Sequence, residues 1–235
     1  MQLFYSQKYS ETEFLLSNEE SKHCIKTLRK KSGDTILITD GKGFIYECAI
    51  IDDNMQSCKA EIVKTIEIPF SRNYKLHIAI SPLKNPDRFE WFIEKATEIG
   101  IDEITPIICK RTEKTKINIE RVNRIAISAL KQSLQTTLPI INQPISIEKF
   151  ITLNKNSSCQ KFIAWCETDK KLLLKDEYKA GSQTIIMIGP EGDFTNEEVE
   201  LAKTSEFKPI SLGNARFRTE TAAITACHTV FIINQ

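Results

Sequence analysis

The chain has 235 residues, 41% of them hydrophobic and 27% charged, the composition of an ordinary soluble protein long enough for one domain of about 150 residues plus a smaller one. A net charge of +1 excludes an overall basic footprint, so any contact with nucleic acid must rest on a local patch. Seven cysteines (Cys24, Cys48, Cys58, Cys109, Cys159, Cys166 and Cys227) without a C-x-x-C pair argue for free thiols and against a disulfide framework or zinc site, and with no run near the ~20 apolar residues of a membrane span and no signal-peptide pattern, a cytoplasmic protein without metal or membrane is expected.

From residue 1 to about 68 the sequence alternates in short segments, Thr35–Thr39, Phe44–Ile51 and Ala60–Ile66, punctuated by Gly33-Asp34 and Asp40-Gly41-Lys42-Gly43. This predicts a small, mostly antiparallel β domain with hairpin turns, interrupted by one helix from about Asn18 to Leu28. Nine basic residues stand against eleven acidic ones here, but Lys22, Lys26, Arg29, Lys30 and Lys31 cluster without an acid among them. Such a run suits either a solvated face or a patch that holds RNA phosphates without reading sequence. His23 lies in the same run with no second ligand at useful spacing, so a metal role is not expected.

The domain boundary is expected at Ile68-Pro69-Phe70-Ser71, after which the periodicity changes. Leu76–Ile80 reads as a strand. A helix follows with Pro86 near its first position, an apolar stripe of Phe89, Phe92, Ile93, Ala96 and Ile99, and Gly100 as its stop. Strand Glu103–Cys109 leads into Lys110-Arg111-Thr112-Glu113-Lys114-Thr115-Lys116. Between Lys110 and Lys131 seven basic residues face two acidic ones, while Val122, Ile125, Ala126, Ala129 and Leu130 turn inward. A basic loop of this kind suits an RNA backbone. A further strand, Phe162–Cys166, precedes Glu167 and a polar, lysine-rich stretch to Ser182. Strands alternating with helices make the region from about residue 73 an α/β domain, which general rules would draw as an unknotted doubly wound sheet.

Thr184 to Ala223 carries the densest chemistry. Thr184–Ile188 is a continuous apolar run, as a strand buried on both faces requires. It ends at Gly189-Pro190-Glu191-Gly192-Asp193-Phe194, and Thr195-Asn196-Glu197-Glu198 reads as a capping box that starts a helix. The unit repeats: strand Lys208–Leu212, loop Gly213-Asn214, then a second helix within Ala215-Arg216-Phe217-Arg218-Thr219-Glu220-Thr221-Ala222-Ala223. In open α/β sheets ligands sit beyond the carboxyl ends of strands, so two such loops from neighbouring strands would share one crevice.

At these residues the chain resembles the RsmE family of the SPOUT superfamily, 16S ribosomal RNA methyltransferases that act on uridine N3. The resemblance rests on Ile188 to Thr195 with Glu198, on Leu212-Gly213 and on Arg218-Thr219-Glu220-Thr221-Ala222, and extends back through Asp87–Gly100, Asp40-Gly41 and Leu28-Arg29. It implies a PUA-like β-barrel at residues 1–70 and, at 71–235, an α/β methyltransferase domain with a deep trefoil knot around the two loops, its final helix (Glu220 to about Ile233) threaded through. It implies S-adenosylmethionine as cofactor, 16S ribosomal RNA in the small subunit as substrate, and a homodimer. Cofactor contacts are implied for Ile188, Gly189, Pro190, Glu191, Gly192, Leu212, Gly213, Phe217, Thr219, Thr221 and Ala222. RNA contacts are expected at Lys22, Lys26, Arg29, Lys30, Arg88, Lys110, Arg111, Lys114 and Lys116. Three departures stand out: Asp193 replaces a glycine, Ala215-Arg216 has its basic residue one place late, and Leu134-Gln135 replaces a glycine and an arginine.

Uracil N3 bears a proton at neutral pH and is a poor nucleophile until that proton leaves, so a site for it must favour the anion. Arg218 is expected to stabilise charge developing on the flanking carbonyl oxygens, with Thr219 and Glu220 fixing its orientation. Glu191 would face the sulfonium or hold the first loop. His77 and His228 are expected to be packed or surface histidines, which leaves the base unassigned, with water able to accept the proton. Two other functions fit less of the sequence. A degenerate, non-catalytic RNA-binding protein would bind no cofactor. A nucleotide-binding α/β enzyme would use glycine loops as anion sites, but Gly189–Gly192 has neither G-x-G-x-x-G spacing nor a G-K-[ST] ending.

Overall fold

A computed structural model describes residues 2–67, 72–165 and 172–235. The expected boundary at Ile68–Ser71, and Cys166 with Glu167 and the next four residues, lie outside the described residues. The chain packs as two units, Met1–Ser71 with Ile127–Leu138, and Arg72–Ala126 with Pro139–Gln235.

The first unit is built on a five-stranded sheet. Its strands are β1 (Leu3–Tyr5), β2 (Glu13–Leu15), β3 (Thr35–Thr39), β4 (Phe44–Asp52) and β5 (Lys59–Glu67), in the order β1-β3-β4-β5-β2. Only β1 with β3 is parallel. Period-two alternation turns Ile36 and Ile38 of β3 inward, where they meet Phe4, Phe14, Leu16, Tyr46 and Ile50. The strands β1 and β2 have three residues each, too short to show alternation. The expected helix is α1 (Asn18–Lys22), capped by the Ser17 side chain, which accepts from the Glu20 N–H, and it widens into a π-turn over His23–Thr27. Residues 127–138 close against this sheet through Gly41, whose carbonyl accepts from Leu138 N at 2.9 Å. Lys131 pairs with the buried Glu20.

The second unit is an all-parallel sheet in the order β12-β10-β11-β6-β7-β8, with β9 pairing β7. In chain order its elements are β6 (Lys75–Ile80), α2 (Pro86–Ile99), β7 (Glu103–Ile108), α3 (Ile119–Gln132, its last turns in the first unit), β8 (Ile140–Ile141), β9 (Ile145–Ser146) and α4 (Ile147–Asn154). β10 (Gln160–Ala164), α5 (Leu174–Glu177), β11 (Gln183–Ile188), α6 (Asn196–Thr204), β12 (Lys208–Ile210) and α7 (Thr219–Ile233) follow. The start of α2 is as the sequence predicts, with Asn85 Oδ1 accepting from Asp87 N and Pro86 at the first position, and it stops at Gly100 with φ 100°. Its stripe of Phe89, Phe92, Ile93 and Ala96 is buried, and α2 packs on α7. Each large side chain of that stripe is worth about 1.5–3 kcal/mol on burial.

One expectation is corrected by the strand order. β11 and β12 are not neighbours: β10 lies between them, with Ala164 opposite both Ile188 and Ile210. β10 precedes both in the chain and occupies the slot that consecutive strands would otherwise share. After β12 the chain returns across the sheet, and α7 packs on α2, β6 and β11.

Candidate active site

The carboxyl ends of four parallel strands align at one edge of the sheet, since Ile80 pairs Ile188, Ile188 pairs Ala164 and Ala164 pairs Ile210. The ladder runs on into the loops: Ser81 N donates to the Ile188 carbonyl at 3.0 Å and Trp165 N to the Ile210 carbonyl at 3.1 Å. The loops of interest therefore open from a rigid base.

The first loop, 189–194, folds over its own anchor. Phe194 is buried, and a Cβ at position 189 would stand 3.1 Å from its ring, so Gly189 is required by close approach. Asp193, in the place of a family glycine, has φ 60°, and its Oδ1 accepts from Phe194 N at 2.8 Å. Aspartate is among the few residues that enter the left-handed region with local hydrogen bonding, so the departure keeps the backbone shape. Thr195 and Glu198 form the complete capping box. Gly192 and Glu191 are exposed, and Glu191 Oε1 accepts from Lys84 N at 3.3 Å.

The second loop, 211–218, leads straight into α7. Gly213 has φ 141° with nothing within 4 Å of where a Cβ would stand, and Leu212 is half-buried beside it. The two loops meet although their strands do not: buried Thr219 donates from Oγ1 to the Gly189 carbonyl at 3.0 Å. Arg218 is the N-cap residue of α7, and its side chain makes no capping bond; it is exposed and has no ion pair among the described residues. Glu220, 6% exposed, has Oε1 3.7 Å from Arg88 Nε and a buried Oε2 with no partner among the described residues. Thr221 and Ala222 follow in the first turn, half-buried, and Phe217 is 37% exposed.

S-adenosylmethionine fits this residue set. Backbone polar groups at Gly189 and Gly213 suit adenine edges, and Ile188 and Leu212 suit its faces. The open space over Gly213 admits a close-lying ligand, and the unpartnered Glu220 oxygen is a buried acceptor at a helix N-terminus, where negative charge is favoured. No group of metal-ligating side chains occurs among the described residues.

The basic segment 110–116 is clasped to the same edge. Lys110 N donates to Glu198 Oε1 at 2.7 Å, Ser81 Oγ and Thr112 Oγ1 lie 2.8 Å apart, and Lys84 Nζ reaches Glu113 at 2.9 Å. Arg111 donates to the Gly192 carbonyl at 2.6 Å. Lys114 and Lys116 have no ion pair among the described residues. They line a cleft of about 660 Å³ with Pro82, Leu83, Asn118 and Arg121, which includes none of the expected cofactor residues. In the first unit, Lys22, Lys26 and Arg29 are exposed and Lys30 is half-buried, with Lys30 Nζ donating to the Thr35 carbonyl at 3.3 Å. His77 packs edge-on against Phe150 and lies 2.8 Å from Thr105 Oγ1. Burial holds its imidazole below the usual histidine range, against a smaller pull from Glu103. His228 is exposed. Sequence reasoning missed the second role of Glu198 and the part played by Ser81 and Thr112, because partners 88 and 31 residues apart leave no local pattern.

Comparison with known proteins gives concordant results. Residues 71–231 match the model of an RNA methyltransferase domain, and residues 16–63 match an RNA methyltransferase PUA domain. Ribosomal RNA small subunit methyltransferase E of Rickettsia conorii is 32% identical over 93% of this chain and 89% of its own length. A probable rRNA-methyltransferase from Porphyromonas gingivalis superposes with a TM-score of 0.91 at 34% identity, covering 100% of this chain and 98% of the other. A ribosomal RNA small subunit methyltransferase E from Neisseria gonorrhoeae, solved bound to S-adenosyl methionine, superposes with a TM-score of 0.84 at 26% identity, covering 100% and 98%. The fold is the SPOUT-type α/β methyltransferase fold with a PUA-like domain ahead of it, in place of the doubly wound sheet that general rules would draw.

Proposed function

The chain belongs to the ribosomal RNA small subunit methyltransferase E family, and from that premise we propose that it transfers a methyl group from S-adenosylmethionine to N3 of a uridine in 16S ribosomal RNA. The observation that carries this reading is the meeting of the 189–194 loop with the start of α7 through Thr219, which sets Arg218, without an ion pair among the described residues, beside a cradle suited to the cofactor. When bound, S-adenosylmethionine supplies a methyl group on a sulfonium, an electrophile that needs positioning more than covalent help. Ile188, Leu212 and Phe217 give it apolar contact, and Gly189, Pro190, Gly192 and Gly213 give it backbone. Thr219, Thr221 and Ala222 close the site from α7. Arg218 stabilises negative charge on the uracil oxygens as the N3 proton leaves. Glu220 anchors the start of α7 through Arg88, and Glu191 holds the first loop against Lys84.

The RNA lies along Lys110, Lys114 and Lys116, and the basic residues of the first unit, Lys22, Lys26, Arg29 and Lys30, hold phosphates elsewhere on the substrate. Residues 1–70 serve as the RNA-binding domain and 71–235 as the catalytic one. A homodimer in the cytoplasm completes the reading. Apolar residues are spread around α7 with no continuous polar face, and such a helix calls for cover on more than one side, yet Ile232 at its end and Trp91 on α2 are exposed. No helix among the described residues is long and apolar enough to cross a membrane.

The test is calorimetric titration with S-adenosylhomocysteine alongside a tritiated-methyl assay on small ribosomal subunits from a strain lacking the activity. Binding with label at a single uridine N3 is the expected result. Binding without label would discard the substrate, and absence of binding would favour a non-catalytic RNA-binding protein.

A further inference from the structure

Arg111 sits in the basic segment 110–116, and composition alone would give its charge to a phosphate. Its guanidinium is instead turned onto the 189–194 loop, where it donates to the Gly192 carbonyl at 2.6 Å and reaches the Phe194 carbonyl at 3.5 Å. Its stem covers the same place: a Cβ on Gly192 would stand 3.3 Å from Arg111 Cδ. These two carbonyls bracket Asp193, which holds the left-handed φ of 60°. A planar, permanently charged donor fork is the side chain best suited to bracing two carbonyls from one side. The turn that carries Arg111 is itself fixed, by Glu198 on Lys110 N and by Ser81 and Cys109 N on Thr112 Oγ1. Three and five residues further along the same segment are Lys114 and Lys116, which have no ion pair among the described residues.

We infer that Arg111 is a positioning residue for the cofactor loop and that it links RNA binding at Lys114 and Lys116 to cofactor binding at Gly189–Gly192. The inference rests on the methyltransferase reading above. RNA that engages the two lysines steadies the 110–116 segment, Arg111 passes that constraint to the Gly192 and Phe194 carbonyls, and the loop is held in its binding shape. By reciprocity the cofactor tightens RNA by the same factor.

The experiment uses the full chain, Arg111→Lys and Arg111→Gln, with tritiated S-adenosylhomocysteine in equilibrium dialysis, alone and with saturating undermethylated small subunits. Lysine keeps the charge for a phosphate but ends one bond short of the guanidinium nitrogen on Gly192. Arg111→Gln removes the charge as well, so a phosphate held by Arg111 would show as lost subunit affinity and a flatter salt slope. In the wild type, subunits are expected to tighten S-adenosylhomocysteine about fivefold, at the low end of allosteric coupling. Both variants should weaken it about tenfold without subunits, lose most of the coupling, and raise KM for S-adenosylmethionine with kcat at saturation retained. Their affinity for subunits alone and its salt dependence should stay unchanged. A wild type without coupling would overturn the link. Loss of subunit affinity in Arg111→Gln with unchanged S-adenosylhomocysteine binding would make Arg111 a phosphate contact and overturn the positioning role. A wild type that binds no S-adenosylhomocysteine would instead refute the methyltransferase reading on which both depend.

Discussion

Replacing Glu198 with glutamine is the sharpest test of how the loop-bearing edge of the parallel sheet is held together. In a solvent-facing capping box glutamine and glutamate serve almost equally, since one oxygen reaching back to the N-cap suffices. Glu198 is buried and uses both oxygens: Oε2 accepts from Thr195 N at 2.8 Å and Oε1 from Lys110 N at 2.7 Å. Glutamine can offer its carbonyl to one of these N–H groups but must point its own N–H₂ at the other. A hydrogen bond to a charged acceptor contributes about 1.5–3 kcal/mol, and a buried donor left unsatisfied costs about 1–3 kcal/mol. One such bond disappears and one buried N–H faces another donor, so Glu198→Gln should destabilise by about 3 kcal/mol. Glu198→Ala, which lets water reach both donors, should cost a similar amount. Urea unfolding followed by tryptophan fluorescence reads the relevant unit directly, because the chain has two tryptophans and both Trp91 and Trp165 belong to the second unit. The expected result is a lower midpoint at unchanged slope. Glutamine within 1 kcal/mol of wild type and alanine well below it would show that Lys110 N is satisfied some other way, and the bracing of the basic segment would fall with it.

Arg218→Ala should lower kcat by about 10²–10³-fold, the loss typical of one transition-state donor, while S-adenosylhomocysteine affinity changes less than twofold; equal losses would put Arg218 in the cofactor site. Lys114→Gln with Lys116→Gln should weaken RNA binding and flatten the plot of log K against log salt by about 0.7 for each phosphate that is no longer neutralised, and an unchanged slope would place the RNA elsewhere. Burial lowers the His77 pKa in the folded state, so below the unfolded value of about 6.5 the unfolded chain takes up the proton first. Stability from this group is complete above that pH and is lost as pH falls through it; His77→Gln should flatten the stability curve between about pH 5 and 7, and an unchanged curve would assign the acid sensitivity to other groups. Leu134 ends α3 at φ 57° in a Schellman pattern, with Gln135 N on the Leu130 carbonyl, a place that costs a non-glycine residue about 1–2 kcal/mol. Set against the extra freedom glycine gains in the unfolded chain, Leu134→Gly should stabilise by about 0.5–1 kcal/mol in urea unfolding, and a loss would mean that its half-covered side chain contributes more packing than its exposure suggests.

Local chemistry wrote much of the architecture into the sequence. Pro86 and Gly100 bound α2, Thr195 and Glu198 start α6, and the apolar run from Thr184 to Ile188 is a strand buried on both faces. Each depends on neighbours within about four residues, the range over which capping and periodicity act. The short strands β1, β2, β8 and β9 left no period to read, and α4 and α5 lack a long apolar stripe. The glycine loop from Gly189 to Gly192 and the run from Arg218 to Ala222 stood out in the sequence because each is a short local pattern, and the structure brings the two together through Thr219.

What tertiary structure alone decided is which distant groups meet. Strand order is set by pairing energies that are nearly the same for any two apolar strands, so nothing in β11 or β12 announces that β10 lies between them. The partners of single donors are likewise silent in the sequence: Thr219 on Gly189, Glu198 on Lys110, and Arg111 turned from the basic segment onto Gly192. A cation in a basic run and a cation bracing a carbonyl are the same residue in a sequence, and only the fold, by bringing an acceptor within hydrogen-bond reach, separates the two.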